Sequence, residues 1–409
     1  MKILYVVHDF FPHFYGGTER YVLNLSKQMQ RMGHAVTVLT YGLMEPIENF
    51  IPDPSGMLTH HYVYEGIPVL SIRHRTIPIY SGYLLEYREV VQLIERVLTR
   101  ERFDIMHIAH PMRIGSCYEA AKAANMPVVL TLTDFWLLCP RGRFFKPDYS
   151  LCNSPEGGQK CISDCGVEPS ILKRYEYAQK MFESVDVLIS PSQFLIEIFK
   201  ANGWTRQISH VQHGVDYKYV NPALPARTTD KIVFGYTGVV GKFKGVDLLL
   251  SAFHKVESEN IRLKIYGNIV FEVGFQSDLS RALEEDKRIQ LMGKYSHNEL
   301  ASIMSELDIV VVPSTTLESY GLVVVESLEN GVPVIASDIV GSAYEFIEHG
   351  KNGLVFSIQN PSELTDMIRK ISEEPSLIQS MRANISPPPR LEEEAFIIEK
   401  VYKSVLRKK

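Results

Sequence analysis

Two carboxylates enclose a glycine and an apolar run in the stretch ESYGLVVVE, which extends from Glu318 to Glu326. An apolar, strand-like run precedes this stretch, and we predict that a helix begins after Ser319. The free N–H groups and dipole of a helix start attract an anion such as a phosphate, and Gly321 would let it approach the backbone. Glu326 would lie on a largely apolar helix face, where a carboxylate needs hydroxyl or similar donors. The alternative is a helix-end charge at Glu318 and a solvated Glu326.

A lysine, Lys244, stands just before Gly245 in the glycine-containing loop VVGKFKG. We predict a helix directly after this loop. Because a helix dipole disfavours a cation at its start, a diphosphate ligand would explain the lysine. The loop lacks the GxxxxGK[ST] pattern, so it is not a P-loop of the Walker type. Lys242, two residues earlier, could provide a second phosphate-binding charge. A solvated loop lysine is an equally good interpretation of this residue.

Histidines and glycines follow two further predicted strands. The run FDIMHIAHPMRIG places His107 and His110 near the end of a strand, where either can serve as a polar site residue. A satisfied structural histidine is an equally good interpretation for His107. Gly16 and Gly17 follow the first strand, where they provide a tight turn, a close approach for a ligand, or both.

Four of the five cysteines fall in one segment, namely Cys139, Cys152, Cys161 and Cys165. Four thiolates at such spacings can close a tetrahedral metal site, which would be structural. In a reducing compartment zinc is favoured over two disulfides, and independent buried thiols are the alternative. Cys117 lies in a helix-like run and is interpreted as packing.

The elements that must position these residues alternate between strands and helices. KILYVV, a helix with Thr18 as its N-cap, and AVTVLT form a β-loop-α-β unit, and the same order returns from residue 231. We therefore predict an α/β protein with two doubly wound, Rossmann-like domains that face each other across a deep cleft, with ligands at the carboxyl ends of the strands. The first domain comprises residues 1–216, with a cysteine-rich insertion at 139–165, and receives the closing helix at 390–409. The second comprises residues 217–389 and begins with a linker rich in proline and polar residues at 217–230.

Composition excludes several classes of protein. The net charge of -5 over 409 residues argues against nucleic-acid binding, which needs a strongly basic face. No apolar run approaches the roughly 20 residues of a membrane span. The N-terminus lacks a signal-peptide cleavage pattern, so we expect a cytoplasmic location. The first predicted strand is not followed by GxGxxG, which argues against a nicotinamide oxidoreductase.

Several blocks of the chain resemble those of family 4 glycosyltransferases, the glycosyl transferases group 1 that are similar to glycogen synthase. They are GGTERYVLNLSKQM, YTGVVGKFKGVDLLLSAF, PSTTLESYGLVVVESLENGVPVIASD and VGSAYEFIEHGKNGLVF. The resemblance extends to the closing helix, which in the GT-B fold of that family crosses back to the first domain. DFWLLCPRGRFF and the cysteines after it resemble a branch that builds surface polysaccharides.

The resemblance implies a retaining enzyme that moves a hexosyl-type sugar from a nucleotide-diphosphate sugar to a glycan or lipid-linked acceptor, without a metal for catalysis. It places His110 and Glu318 at the reacting centre. The donor contacts it implies are Gly16, Gly17, Lys244, Gly267, Lys294, Tyr320, Gly321, Leu322 and Glu326. Peripheral membrane contact through the aromatic segment 60–87 is a further expectation, with a packed insertion as the alternative.

Two positions depart from the family pattern. Val239 stands where relatives usually carry a phosphate-binding arginine, and Thr133 stands where many carry histidine. These departures leave open a non-catalytic protein that binds the donor. A sugar-nucleotide epimerase of GT-B build stays open as well, because its two-domain build is similar. Lys244, Glu318 and Glu326 favour activity.

Overall fold

The computed structural model describes residues 1–78, 85–216, 231–272 and 274–407. The chain divides into two compact units. The first comprises Met1–Lys146, Cys152–Gly214 and Pro389–Lys409, and the second comprises Pro147–Leu151 and Val215–Pro388. The predicted linker at 217–230 lies outside the described residues, as do positions 79–84 of the aromatic segment.

The first unit is built on a sheet of nine strands within the described part of the chain. They are β1 (Lys2–Val7), β2 (Ala35–Tyr41), β3 (Ile51–Pro52), β4 (Met57–Tyr64), β5 (Ile67–His74), β6 (Ile105–Ile108), β7 (Val128–Thr131), β8 (Val187–Ser190) and β9 (Ser209–His210). Their order is β3-β4-β5-β2-β1-β6-β7-β8-β9, and only the β3–β4 and β4–β5 pairs are antiparallel. The order reverses between β1 and β6, so the loops after these strands diverge from neighbouring positions.

The second unit contains an all-parallel sheet of six described strands. They are β10 (Ile232–Thr237), β11 (Ile261–Tyr266), β12 (Ile289–Gly293), β13 (Ile309–Val312), β14 (Val334–Ser337) and β15 (Gly353–Phe356). The order is β12-β11-β10-β13-β14-β15, which reverses between β10 and β13. Most residues of these strands are buried, as expected of continuous apolar runs in a parallel sheet.

Helices pack against both sheets. Those of the described part, in chain order, are α1 (Gly17–Arg31), α2 (Arg88–Arg100), α3 (Cys117–Ala123), α4 (Gln159–Cys165), α5 (Ile171–Ser184), α6 (Gln193–Ala201), α7 (Val246–His254), α8 (Phe275–Glu285), α9 (Leu300–Ser305), α10 (Leu322–Glu329), α11 (Gly341–Phe346), α12 (Ser362–Glu373), α13 (Ser376–Ala383) and α14 (Leu391–Leu406). None of them is long and apolar enough to cross a membrane, within the residues that the structure describes.

The closing helix α14 belongs to the first unit, as predicted. Ala395, Ile398 and Tyr402 share one buried core with residues of β1 and α1. The Tyr402 hydroxyl group donates a hydrogen bond to the Tyr5 hydroxyl oxygen at 3.1 Å. The last helix is thus part of the core around the first strand, although the two elements lie at opposite ends of the sequence.

Two predicted helix starts were wrong. Thr18 is not the N-cap of α1, because the helix begins at Gly17 and Gly16 is the capping residue. Glu19 then occupies the third helical position, from which an acidic side chain can reach back to the capping backbone. The helix predicted after Ser319 begins only at Leu322, because Glu318 pairs with Val340 in a parallel bridge.

Candidate functional site

Lys244 and Glu318 meet where the strand order of the second unit reverses. Lys244 follows β10 and Glu318 follows β13, and Lys244 Nζ lies 2.9 Å from Glu318 Oε1. The side chains are 27% and 14% exposed, so a ligand can still reach this partly buried pair. Ligands of doubly wound sheets bind at this type of position, outside the carboxyl ends of the strands.

Gly245 fixes the loop that carries Lys244. Its φ of +72° is unfavourable for other residues, and a Cβ there would lie 1.8 Å from the carbonyl oxygen of Pro313 at the end of β13. The hydroxyl groups of Thr315 and Thr316 donate to the carbonyl oxygens of Lys242 and Phe243 at 2.9 and 3.2 Å. The two loops are therefore tied together, which holds Lys244 beside the chain that leads to Glu318.

Glu318 is held by its backbone and by its side chain. Its N–H group donates to Ile339 at 3.0 Å, and its carbonyl oxygen accepts from the N–H group of Gly341 at 2.9 Å. The Ser314 hydroxyl group donates to the carboxylate. Glu318 consequently lies in a bridged strand-like segment and not at the helix end that the sequence predicted.

The helix α10 starts immediately beyond Tyr320 and Gly321. Gly321 has a φ of +87°, and a Cβ there would lie 2.6 Å from Val340 Cγ1. The Ser342 hydroxyl group donates to the Gly321 carbonyl oxygen at 2.7 Å, which fixes the backbone ahead of Leu322. The first N–H groups of a helix have no partner inside the helix, so this start offers anion-binding donors close to the Lys244–Glu318 pair.

Glu326 lies on α10, and His297 faces it from another segment of the second unit. The His297 Nδ1 atom is 3.9 Å from Glu326 Oε1, and the Glu326 side chain is 15% exposed. A partly exposed carboxylate beside an imidazole can accept hydrogen bonds from hydroxyl groups. Sequence reasoning missed His297, because only folding brings it to Glu326.

The ends of β10, β11 and β12 contribute two more predicted positions. Gly267 follows β11 with a φ of +151°, and a Cβ there would lie 1.6 Å from the carbonyl oxygen of Gly238 after β10. Lys294 follows β12 and is exposed. These positions lie at the same edge of the sheet as Lys244, but no contact between them and Lys244 is described.

His110 belongs to a cluster of polar residues at the corresponding position of the first unit. Its Nε2 atom lies 3.1 Å from Asp134 Oδ2, and its ring centroid is 4.0 Å from that of His8. Arg113, from the same loop, donates to Asp9 Oδ2 at 2.6 Å. Sequence reasoning missed His8, Asp9 and Arg113. The signal for them was the HD pair directly after β1 and an arginine three residues after His110.

Glu19 is the most deeply buried acid of this cluster. It is 1% exposed, and its Oε1 atom lies 3.4 Å from His8 Nε2. Burial raises the pKa of Glu19 to about 7, which backbone hydrogen bonds of Glu19 and Gly16 partly oppose. A Cβ at Gly16 would lie 2.2 Å from Glu19 Oε2, so the Gly16–Gly17 turn closes directly over this carboxyl group.

His107 and Thr133 have structural partners. The His107 Nε2 atom lies 2.6 Å from the Thr131 hydroxyl oxygen, its Nδ1 atom pairs with the Tyr402 hydroxyl group, and its side chain is fully buried. Burial lowers the pKa of His107 to about 3, so it stays neutral in the core. Thr133 donates to the carbonyl oxygen of Ala109 at 2.8 Å. Of the two histidines considered, only His110 lies in the polar cluster.

The four clustered cysteines line one cavity of the first unit, whereas Cys117 lies in the core. Burial raises the pKa of the Cys161 thiol to about 12 and also raises the pKa of Cys152 and of Cys165. As free thiols they are therefore poor nucleophiles. Within the described ranges, no three His, Cys, Asp or Glu side chains already stand in an arrangement that could hold a metal ion.

Family models match most of the chain. The model described as "Glycosyltransferase Family 4" matches residues 15–219, and that described as "Glycosyl transferases group 1" matches residues 222–386. An uncharacterized glycosyltransferase of Methanocaldococcus jannaschii is 21% identical over 371 residues, covering 89% of this chain and 87% of the relative. The D-inositol 3-phosphate glycosyltransferase of Nocardioides sp. is 21% identical over 408 residues, covering 92% and 82%.

Solved structures confirm the predicted fold. Anabaena HepE in complex with UDP and glucose matches with a TM-score of 0.70 and 17% identity, covering 99% of this chain and 100% of that chain. WaaG, a glycosyltransferase involved in lipopolysaccharide biosynthesis, matches with a TM-score of 0.67 and 14% identity, covering 98% and 99%. These likenesses show the GT-B fold.

Proposed function

The chain belongs to glycosyltransferase family 4, and on that premise we propose that it moves a hexosyl-type sugar from a nucleoside diphosphate sugar to a glycan or lipid-linked acceptor, with retention of configuration. The observation that carries the proposal is the Lys244–Glu318 pair at the strand-order reversal, beside the start of α10. A lysine and helix-start amides suit a diphosphate, and the carboxylate suits a sugar bearing hydroxyl groups.

Charge stabilisation is the main task of such a site. When the glycosidic bond breaks, negative charge grows on the diphosphate leaving group. Lys244 and the amides at the start of α10 would stabilise that charge from fixed positions, so little reorganisation is needed as it develops. We propose that no metal ion is required for this step.

The glutamates would serve opposite ends of the donor. Glu318, tied to Lys244, would accept hydrogen bonds from the transferred sugar. Glu326, farther along α10, would accept from the ribose hydroxyl groups, as an acidic residue does in dinucleotide folds. For His110 we propose contact with the transferred sugar near the reacting centre, and for the loop at Lys294 backbone contacts to the base.

The named relatives are compatible with this proposal. HepE has been solved with UDP and with UDP-glucose, and WaaG acts in lipopolysaccharide biosynthesis. We therefore propose a role in cell-surface polysaccharide synthesis and place UDP-sugars first among the donors to test. A lipid-linked acceptor would bring the enzyme to a membrane surface, which vesicle co-sedimentation can test.

A two-step experiment tests the function. Thermal shift with a panel of nucleoside diphosphates and their sugars identifies the donor, and NMR of the reaction with candidate acceptors gives the product and its anomeric configuration. We expect a glycoside of the same configuration as the donor. An epimerised nucleotide sugar formed without acceptor would favour the epimerase, and tight donor binding without any turnover would favour a non-catalytic donor-binding protein. An inverted product would contradict retention.

A further inference from the structure

Four cysteines that are spread over the segment 139–165 converge in the folded first unit. Cys139, Cys152, Cys161 and Cys165 all line one cavity of about 10 Å³, which has room for a single water-sized particle. Cys117 is excluded from this group, because it lies in the core with its Sγ atom 3.7 Å from Met106 Sδ. Four of the five cysteines therefore lie around one cavity, and the fifth lies elsewhere in the core.

Three short pieces of backbone present these thiols. Cys161 and Cys165 are four residues apart on α4, so they share one face of the helix. The N–H group of Cys139 donates to Phe135 at 2.7 Å, and that of Cys152 donates to Phe144 at 2.8 Å. Each thiol is anchored by helical or loop hydrogen bonds, although the segment between β7 and α4 has little regular structure.

A buried cation beside the thiols lacks a carboxylate partner among the described residues. The Arg174 side chain is 2% exposed and donates to the carbonyl oxygens of Trp136 and Leu137, while its Nε atom has no hydrogen-bond partner in that part of the chain. Its charge interacts with Cys139 and Cys161 and also with the Asp134 carboxylate. A buried charge without a direct ion pair is costly, so further negative charge at the cavity would stabilise Arg174.

We propose that these four cysteines bind one structural Zn²⁺ ion. Soft thiolates in a tetrahedral set of four are the preferred ligands of a closed zinc site. Each thiol would give its proton to solvent, and four thiolates with one Zn²⁺ would leave a charge of two minus, which Arg174 would partly offset. Because no metal-binding arrangement is already formed among the described residues, the cysteine side chains must rotate around the cavity to reach the ion.

Metal analysis of the full chain, purified under reducing conditions without added metal, tests this site independently of sugar transfer. We expect about one zinc per chain in the natural protein and in Cys117→Ser, the matched control from the core. Cys161→Ser and Cys165→Ser should lose most of the zinc and unfold at a lower temperature. A chelator should lower the unfolding temperature of the natural protein and of Cys117→Ser.

A second measurement covers the case in which the serine variants do not fold. Zinc in the natural protein is exchanged for Co²⁺, whose thiolate charge-transfer and tetrahedral ligand-field absorptions should both appear. Metal-free natural protein with five titratable thiols would overturn the proposal, as would two disulfides found by mass spectrometry of anaerobically purified protein.

Discussion

The Lys244 ammonium group lies 2.9 Å from the Glu318 carboxylate, although the two residues follow different strands. The strands β10 and β13 are neighbours in the sheet but are separated by β11 and β12 in the chain. Both side chains are partly exposed, so a ligand can reach each partner of the ion pair. In the proposed function, a nucleotide sugar would offer its diphosphate to Lys244 and hydroxyl groups to Glu318.

We predict that Lys244→Ala slows donor turnover without loss of the fold. A charge-assisted contact of roughly 1.5–3 kcal/mol corresponds to about one to two decades in kcat/KM. Initial rates with the donor identified by screening measure the effect. Lys242→Ala, from the same loop, is the matched control and should change kcat/KM by less than about threefold. Unchanged kinetics of a folded Lys244→Ala variant would refute the assignment.

Glu19 makes the stability of the first unit dependent on pH. The folded protein keeps a proton on Glu19 up to about pH 7, whereas the unfolded chain releases it near its ordinary pKa of about 4.3. This contribution to stability is complete below the unfolded pKa and is lost as the pH rises through 7. Between pH 5 and pH 8 the free energy of unfolding of the natural protein should therefore fall by about 2–3 kcal/mol relative to that of Glu19→Gln.

Urea unfolding of the natural protein and of Glu19→Gln at the same two pH values, 5 and 8, checks the Glu19 prediction. Glu95→Gln, at an exposed position of α2, is the control and should follow the natural protein at both pH values. If the free energies of unfolding of Glu19→Gln and the natural protein differ by the same amount at both pH values, Glu19 is not protonated in the folded protein.

Gly267→Ala should destabilise the second unit by at least about 3 kcal/mol. The new Cβ would lie 1.6 Å from the Gly238 carbonyl oxygen, in addition to the cost of a φ of +151°. Gly293→Ala is the matched control at the last residue of β12, where φ is +85° and no atom beyond the adjoining residues lies within 4 Å of the new Cβ. The control should cost only about 1–2 kcal/mol. Equal urea midpoints for the two variants would be incompatible with the close approach of the loops after β10 and β11.

Elements whose whole pattern lies in a short stretch of sequence were predicted well. The strand Lys2–Val7 has the predicted bounds, because a buried strand is a continuous apolar run. The closing helix, predicted within 390–409, extends from Leu391 to Leu406. The start of α10 was predicted two residues too early. The bridge between Glu318 and Val340 that delays it is a contact between distant segments, which local periodicity does not show.

The same limit applies to the candidate site. Lys244, Glu318 and His110 could be selected because they stand at predicted strand ends, where parallel sheets bind ligands. The Asp9–Arg113 ion pair joins residues that are 104 positions apart. Such residues meet because of the order of the strands in the sheet. Sheet order depends on packing of whole elements, so spacing alone could not identify it.

The two glutamates of ESYGLVVVE should affect different steps. Glu326→Gln keeps the shape but removes the charge that would accept from the ribose, so binding of donor and of free nucleoside diphosphate should weaken alike. Glu318→Gln acts at the sugar end, so kcat should fall while nucleotide affinity stays nearly unchanged, because that contact matters most in the transition state. Initial rates beside the binding constants separate the two effects.

Calorimetric titration of the nucleoside diphosphate into the natural protein, Glu318→Gln and Glu326→Gln tests the donor site most directly. We expect a Kd that rises about tenfold or more in Glu326→Gln, as for loss of a hydrogen bond to a charged group, and stays within about threefold in Glu318→Gln. Loss of nucleotide binding in Glu318→Gln with normal binding in Glu326→Gln would mean that the donor lies in the opposite direction along α10. No binding of any nucleoside diphosphate by the folded natural protein would contradict the donor site itself.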